Sequence, residues 1–214
     1  MTVMARTFVC LSLCAGMAGC HHSAATAPAA HASQLPAITD ADVKFMQGMI
    51  GHHTQAIAMV ALLKTRTERN DMKLLGQRIE VSQTDEIRMM KTWLASRGQT
   101  VPADADYTMM MAMPDMAMPG MLTQKQMDEL AAAKGADFDR LFLEDMIQHH
   151  EGALTMVRGL MSTAGAGQDS SVFQFASDVE ADQSAEINRM RALRATMGKT
   201  VTPFPMSTPS RVNR

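Results

Sequence analysis

The sequence predicts an all-α fold, a four-helix bundle built from two tandem helix hairpins. Three observations carry this expectation. Apolar residues recur at spacings of three and four through four long segments, few segments alternate like strands, and one helical unit occurs twice. Phe45-Met46-Gln47-Gly48-Met49-Ile50-Gly51-His52-His53 returns as Phe142-Leu143-Glu144-Asp145-Met146-Ile147-Gln148-His149-His150. The match continues through Ala56/Ala153, Met59/Met156 and Val60/Val157. Further on, Gln83-Thr84-Asp85-Glu86-Ile87 and Met90 are echoed by Gln183-Ser184-Ala185-Glu186-Ile187 and Met190. Two amphipathic hairpins hide their apolar faces most simply against each other, with pseudo-two-fold symmetry.

The elements follow from local signals. Thr39 or Asp40 can cap a first helix whose apolar positions include Val43, Met46, Met49, Ile50, Ile57, Val60 and Leu63, ending near Lys64 to Thr67. A second runs from Asn70 or Asp71 to about Arg97, with Gly98 as its stop. Residues 98–122 hold Pro and a dense Met run, and form a loop. Thr123 caps a short helix to about Lys134, broken at Gly135, and Asp137 opens a third long helix to about Ser162. After Ala164-Gly165-Ala166-Gly167, a fourth extends from about Asp169 to Met197, stopped by Gly198. The bundle with its loop thus spans 39–201, and the Pro-containing tail 202–214 is expected to be irregular.

Residues 1–19 read as a secretory signal: one Arg, a short apolar run from Phe8 to Met17, then small residues. The run is too short to span a bilayer. Met17-Ala18-Gly19-Cys20 resembles a bacterial lipobox, so Cys20 would carry lipid and the chain would be a periplasm-facing lipoprotein of the cell envelope. The alternative is ordinary cleavage nearby, giving a soluble periplasmic protein. Cys10 and Cys14 leave with the signal, and no disulfide framework or thiol nucleophile remains. Residues 20–38, rich in Ala, Ser, Thr and Pro, form a flexible tether. A net charge of −2 without any Lys/Arg-rich run excludes nucleic acid as a partner. No later apolar segment is long enough to span, so membrane attachment runs through the lipid.

Adjacent histidines on a helix diverge by about 100°. His52 shares a stripe with Phe45, Met49, Ala56, Met59 and Leu63, and His53 with Met46, Ile50, Ile57 and Val60. In the second copy His149 lies with Phe142, Met146, Ala153, Met156 and Leu160, and His150 with Leu143, Ile147, Leu154, Val157 and Met161. Each imidazole therefore sits in an apolar face. One reading has each ring bonded to a carboxylate or carbonyl, with Glu86 and Glu186 as candidates. The other is a metal site: imidazole with thioether suits copper, as Cu(I), whereas zinc prefers N, O and thiolate. A di-iron centre needs Glu-x-x-His on two helices, and the sequence contains none.

Methionine supplies 23 of the 214 residues, and the loop concentrates it. Met109, Met110, Met111, Met113, Met116, Met118 and Met121 fall between residues 109 and 121, where Pro114, Pro119 and Gly120 prevent a regular helix. Thioethers from such a segment can surround Cu(I) without a preformed cage. The alternative is an apolar flap packed on the bundle or on a partner protein.

The doubled Phe-x-x-x-Met-Ile-x-His-His-x-x-Ala-x-x-Met-Val unit resembles the domain of unknown function 305 family over about residues 39–201. The resemblance implies a ferritin-like helical bundle and, for Met/His-rich periplasmic members, copper binding and tolerance. Carried over by position, the motif residues are Met49, His52, His53, Met59, Met146, His149, His150 and Met156. The loop ligands Met109, Met111, Met113, Met116, Met118 and Met121 rest on their chemistry alone. The expected function is an envelope copper buffer, chaperone or tolerance factor that requires no reaction, with periplasmic copper-handling proteins as candidate partners. Two alternatives stand beside it. One is a metal-dependent oxidase using the paired histidines with Glu86 and Glu186; the other is a non-metal interaction module gripping its partner with the Met-rich flap.

Overall fold

The computed structural model describes residues 38–103 and 118–197. The expected signal, tether with Cys20, and tail lie outside the described residues, as do Met109, Met110, Met111, Met113 and Met116. Five helices follow in order: α1 (Asp40–Arg66), α2 (Asn70–Ser96), α3 (Gln124–Ala132), α4 (Gly135–Ser162) and α5 (Ser170–Thr196). Two hairpins, α1–α2 and α4–α5, pack through α1 and α4 into a four-helix bundle, and the short α3 lies against one end. No strand occurs among the described residues.

The helix ends are local products of sequence. A capping box opens α1: the Thr39 hydroxyl accepts from the Asp42 amide at 3.2 Å, and the Asp42 carboxylate accepts from the Thr39 amide at 2.8 Å. The second Asp42 oxygen accepts from the Gly167 amide at 2.7 Å, which ties the start of α1 to the α4–α5 loop. Thr123 and Gln126 repeat the box at α3. Gly98, at φ 66°, lets the chain turn away beyond α2 in the left-handed region that glycine tolerates. One boundary differs from expectation. α4 begins at Gly135 rather than Asp137, because Gly135 at φ 57° makes the sharp turn from α3 itself and the helix starts on it.

Two apolar clusters fill the bundle. The first joins the N-terminal half of α1 (Phe45, Met46, Met49, Ile50) to the C-terminal half of α4 (Ala153, Val157, Leu160), with Trp93 of α2 and Phe175 of α5. The second joins the C-terminal half of α1 (Met59, Val60, Leu63) to the N-terminal half of α4 (Phe138, Phe142, Met146), with Ile79, Met190 and Leu130 of α3. Opposite halves meet, so α1 and α4 run antiparallel. Between the clusters lies a buried polar layer, described below.

A carboxylate joins the hairpins at the first cluster. Asp169 caps α5 by accepting from the Ser171 and Val172 amides, and it also accepts from the Trp93 indole at 3.2 Å and from Arg97 at 2.5 Å. Burial alone would raise its pKa. The indole, the α5 amides and Arg97 outweigh that and hold the carboxyl below its usual range. Asp169→Ala removes a cap and leaves a buried indole N–H and a half-buried guanidinium unpaired. Stability should fall by about 2–4 kcal/mol, read from urea unfolding midpoints. A change under about 0.5 kcal/mol, within the range of neutral surface substitutions, would show that Asp169 does not latch the hairpins.

Candidate metal centre

The helical register of α1 and α4 turns two histidines toward each other and two away. His52 and His149 meet across the α1–α4 contact, their ring centroids 3.8 Å apart. His53 and His150 turn instead to the partner helix of their own hairpin. His53 Nε2 bonds Glu86 of α2, and His150 Nε2 bonds Glu186 of α5 at 2.6 Å. All four imidazoles are completely buried, and Gln83 and Gln183 are buried in the same layer. So the carboxylate pairing considered from sequence holds for one histidine of each pair.

The described end of the Met-rich loop crosses this layer as a strap. His52 Nε2 lies 3.0 Å from the Pro119 carbonyl. Gln55 exchanges two hydrogen bonds with the Leu122 backbone, at 2.9 and 2.8 Å, and Gln148 donates to the Gly120 carbonyl at 3.4 Å. Gly120, at φ 76°, sits directly on Gly152, where any added Cβ would collide with the strap backbone. Gly48 supplies the other small spot. A Cβ there would stand 3.1 Å from Met118 Sδ and 3.4 Å from Met156 Cε, so these two thioether side chains converge one turn before His52.

Protonation follows from these partners. A carbonyl can only accept, so His52 carries its proton on Nε2 and presents Nδ1 as the lone-pair nitrogen. In His53 and His150 the Nε2 proton is likewise the one donated, to Glu86 and Glu186. In all four histidines Nδ1 is buried without a hydrogen-bond partner, and in His149 neither nitrogen has one. Burial, and then the charge of neighbouring imidazoles, lowers His52 to about 3. Burial first, then His52, His150 and His53, drives His149 well below the ordinary histidine value, and the nearby His52 backbone is the smallest influence, opposing the shift. Asp145 moves the other way, pushed up to about 6 by burial and by Glu144 and Glu129.

Such a layer has donors for a soft cation. Metal-binding histidines characteristically donate their second ring nitrogen to a carboxylate or backbone carbonyl, which fixes the tautomer. His52, His53 and His150 have that arrangement already. Among the described residues no three His, Cys, Asp or Glu side chains form a ready metal cage.

The sequence-derived residues divide by environment. Met49 is fully buried in the first apolar cluster, and Met59 and Met146 in the second, where they fill space like other core side chains. Met156 and Met118 are partly exposed and lie together; Met121, also partly exposed, sits in the strap's turn, its amide donating to the Met118 carbonyl at 3.2 Å. Gly48, Gly152, Gln55 and Gln148 were not singled out from sequence, and Pro119 only as a helix breaker. A signal existed for the glycines. Each breaks the repeat, Gly48 standing where the second copy has Asp145 and Gly152 where the first has Gln55.

The tandem hairpins, the doubled His-His layer and the strap define a two-fold helical bundle with a polar centre. The chain belongs to the family described as "Domain of unknown function (DUF305)", whose model matches residues 42–194. Among solved structures it is similar to a DUF305 protein from Streptomyces coelicolor described as secreted, with 28% identity and a TM-score of 0.61 over 74% of this chain and 94% of that one. A DUF305 fragment from Deinococcus radiodurans shows 26% identity and a TM-score of 0.61, over 75% and 99%. CopM in its Cu(I)-bound form shows 30% identity and a TM-score of 0.55, over 72% and 96%. CopM has also been solved in Ag-bound, Cu(II)-bound and apo forms. No curated protein sequence matches the chain.

The depressed histidines set a pH dependence for the metal-free protein. Below about pH 6.5 the unfolded chain protonates His52 and His149, while the folded chain resists until near pH 3 for His52. Stability is therefore complete above pH 6.5 and is lost as the pH falls, at up to about 1.4 kcal/mol per pH unit for each imidazole. Asp145 opposes part of this between its unfolded value of 3.8 and about 6, because there the folded chain holds a proton the unfolded chain lacks. Urea midpoints measured from pH 7.5 to 4 should fall, and His149→Phe should flatten the curve. A flat wild-type profile would contradict buried neutral imidazoles.

Proposed function

We propose that this protein binds copper outside the cytoplasm and acts as a buffer, chaperone or tolerance factor in the bacterial envelope. The observation that carries the reading is the pairing of His52 and His149 at the centre of the bundle. Their buried Nδ1 atoms are unpartnered, and Met118 and Met156 converge one turn away. Because His52 and His149 stay neutral at physiological pH, their lone pairs need no deprotonation before meeting a metal. Neutral imidazoles and thioethers favour Cu(I) over harder ions. The Cu(I)-, Cu(II)- and Ag-bound forms of CopM, a relative of this chain, support the same chemistry.

His52, His149, Met118 and Met156 form the inner donor group of this reading, with His53 and His150 oriented by their glutamates beside them. Met49, Met59 and Met146 pack close by and stand ready as alternative thioethers. The loop residues Met109, Met111, Met113, Met116 and Met121 collect Cu(I) from solution and deliver it to Met118 of the strap. Copper is cargo here, and no reaction is required. A lipid on Cys20 and the following tether would hold the bundle near a membrane within reach of periplasmic copper-handling proteins. The Streptomyces coelicolor relative, described as secreted, supports an extracytoplasmic place for the chain.

The flap alternative keeps one supporting observation, because the strap does pack on the bundle. Competition titration with a Cu(I) chelator separates the two. Replacing all seven methionines between 109 and 121 with Leu preserves apolar bulk and removes sulfur, so copper stoichiometry should drop while the fold remains. His52→Phe with His149→Phe should weaken the remaining site by at least about tenfold, equivalent to 1.4 kcal/mol. Unchanged stoichiometry in the Leu variant would remove the loop from the copper path. Unchanged affinity in the Phe variant would remove the histidine pair.

A further inference from the structure

Among the described residues six large apolar side chains stand exposed, and three of them lie on α2: Leu74 (49%), Val81 (65%) and Met89 (46%). At about 100° per residue, these three fall with Arg78 and Asp85 on one face about 80° wide. α2 buries its other face, through Met72, Leu75, Ile79 and Met90, in the bundle. The exposed face is also slightly hollow, with a shallow groove lined by Leu74, Gln77, Arg78, Val81 and Ser82.

The order of residues along this face is self-complementary. Leu74 and Met89 are equally far in sequence from a point between Val81 and Ser82, and so are Arg78 and Asp85. A two-fold axis through that point, perpendicular to the helix, would set Leu74 of each copy on Met89 of the other. It would set Arg78 beside Asp85 twice, with Val81 packed at the axis. A parallel pairing would instead oppose Arg78 to Arg78 and Asp85 to Asp85. Charge therefore selects the antiparallel arrangement.

We propose that the outer face of α2 is a homodimer interface, occupied by α2 of a second copy of this chain in antiparallel register. The contact is isologous and closes on itself, so it yields dimers and not filaments. Asp85 pairs with Arg88 of its own helix at 3.2 Å, and in the dimer it is shared with the incoming Arg78. One helix per copy buries less than the roughly 1,200–2,000 Å² of a standard stable interface, so the dimer is a weak, reversible one.

Sedimentation equilibrium of the purified protein over a wide span of concentration, up to its solubility, tests the pairing. The wild type should pass from monomer to dimer with concentration. V81D should remain monomeric while keeping its helical circular dichroism and melting temperature, since Val81 faces away from the core. R78E and D85R should each weaken association by about tenfold, or 1.4 kcal/mol. The double variant R78E/D85R restores both pairs with reversed sign and should recover wild-type association. General apolar stickiness could not produce that recovery. A wild type that stays monomeric at the highest concentration, a dimer indifferent to V81D, or a double variant no better than the singles would each overturn the interface.

Discussion

The meeting of His52 and His149 between α1 and α4 is the constraint around which this bundle is organised. Four imidazoles and two glutamates cannot be buried cheaply, and each unpartnered polar group costs about 1–3 kcal/mol. Placing them in one layer between two apolar clusters lets them satisfy one another. Glu86 and Glu186 reach across their own hairpins to His53 and His150, and Pro119 reaches from the strap to His52. A slip of α1 against α2 by one turn would carry Glu86 away from His53 and into an apolar cluster. The layer therefore fixes the axial register of the helices, a task the apolar clusters perform less selectively because Met, Leu and Phe tolerate repacking.

What this layer leaves unsatisfied is as informative as what it satisfies. Both nitrogens of His149 and the Nδ1 atoms of the other three histidines lack partners, and both side-chain polar atoms of Gln183 are likewise unpaired. Orphaned donors at the centre of a tightly packed bundle are costly for a purely structural element, and the proposed copper role gives them a purpose. The same burial keeps His52 and His149 neutral.

Duplication made the bundle symmetric, and the strap breaks the symmetry. One loop crosses the α1–α4 contact, so its two sides had to diverge. Gly152 gives backbone room to Gly120, while its counterpart Gln55 grips Leu122 with its carboxamide. Gly48 makes space for Met118 and Met156, while its counterpart Asp145 is a buried carboxyl with an unpartnered oxygen. Departures from an internal repeat thus mark where a unique segment docks.

The sequence by itself determined the helices, their ends and their pairing into hairpins. Thr39 with Asp42, Thr123 with Gln126, and Asp169 act within a few residues, and local chemistry needs no tertiary partner. The repeat likewise made the His-bearing faces legible before any packing was known. Only the tertiary structure decided which histidine of each pair turns inward, because both faces of α1 and α4 are apolar and a 100° step separates choices that look alike in sequence. It also decided that Met49, Met59 and Met146 fill the core while Met118 and Met156 meet beside Gly48. A thioether in an apolar stripe looks the same in both roles, and its surroundings, set by the crossing of α1, α4 and the strap, distinguish them.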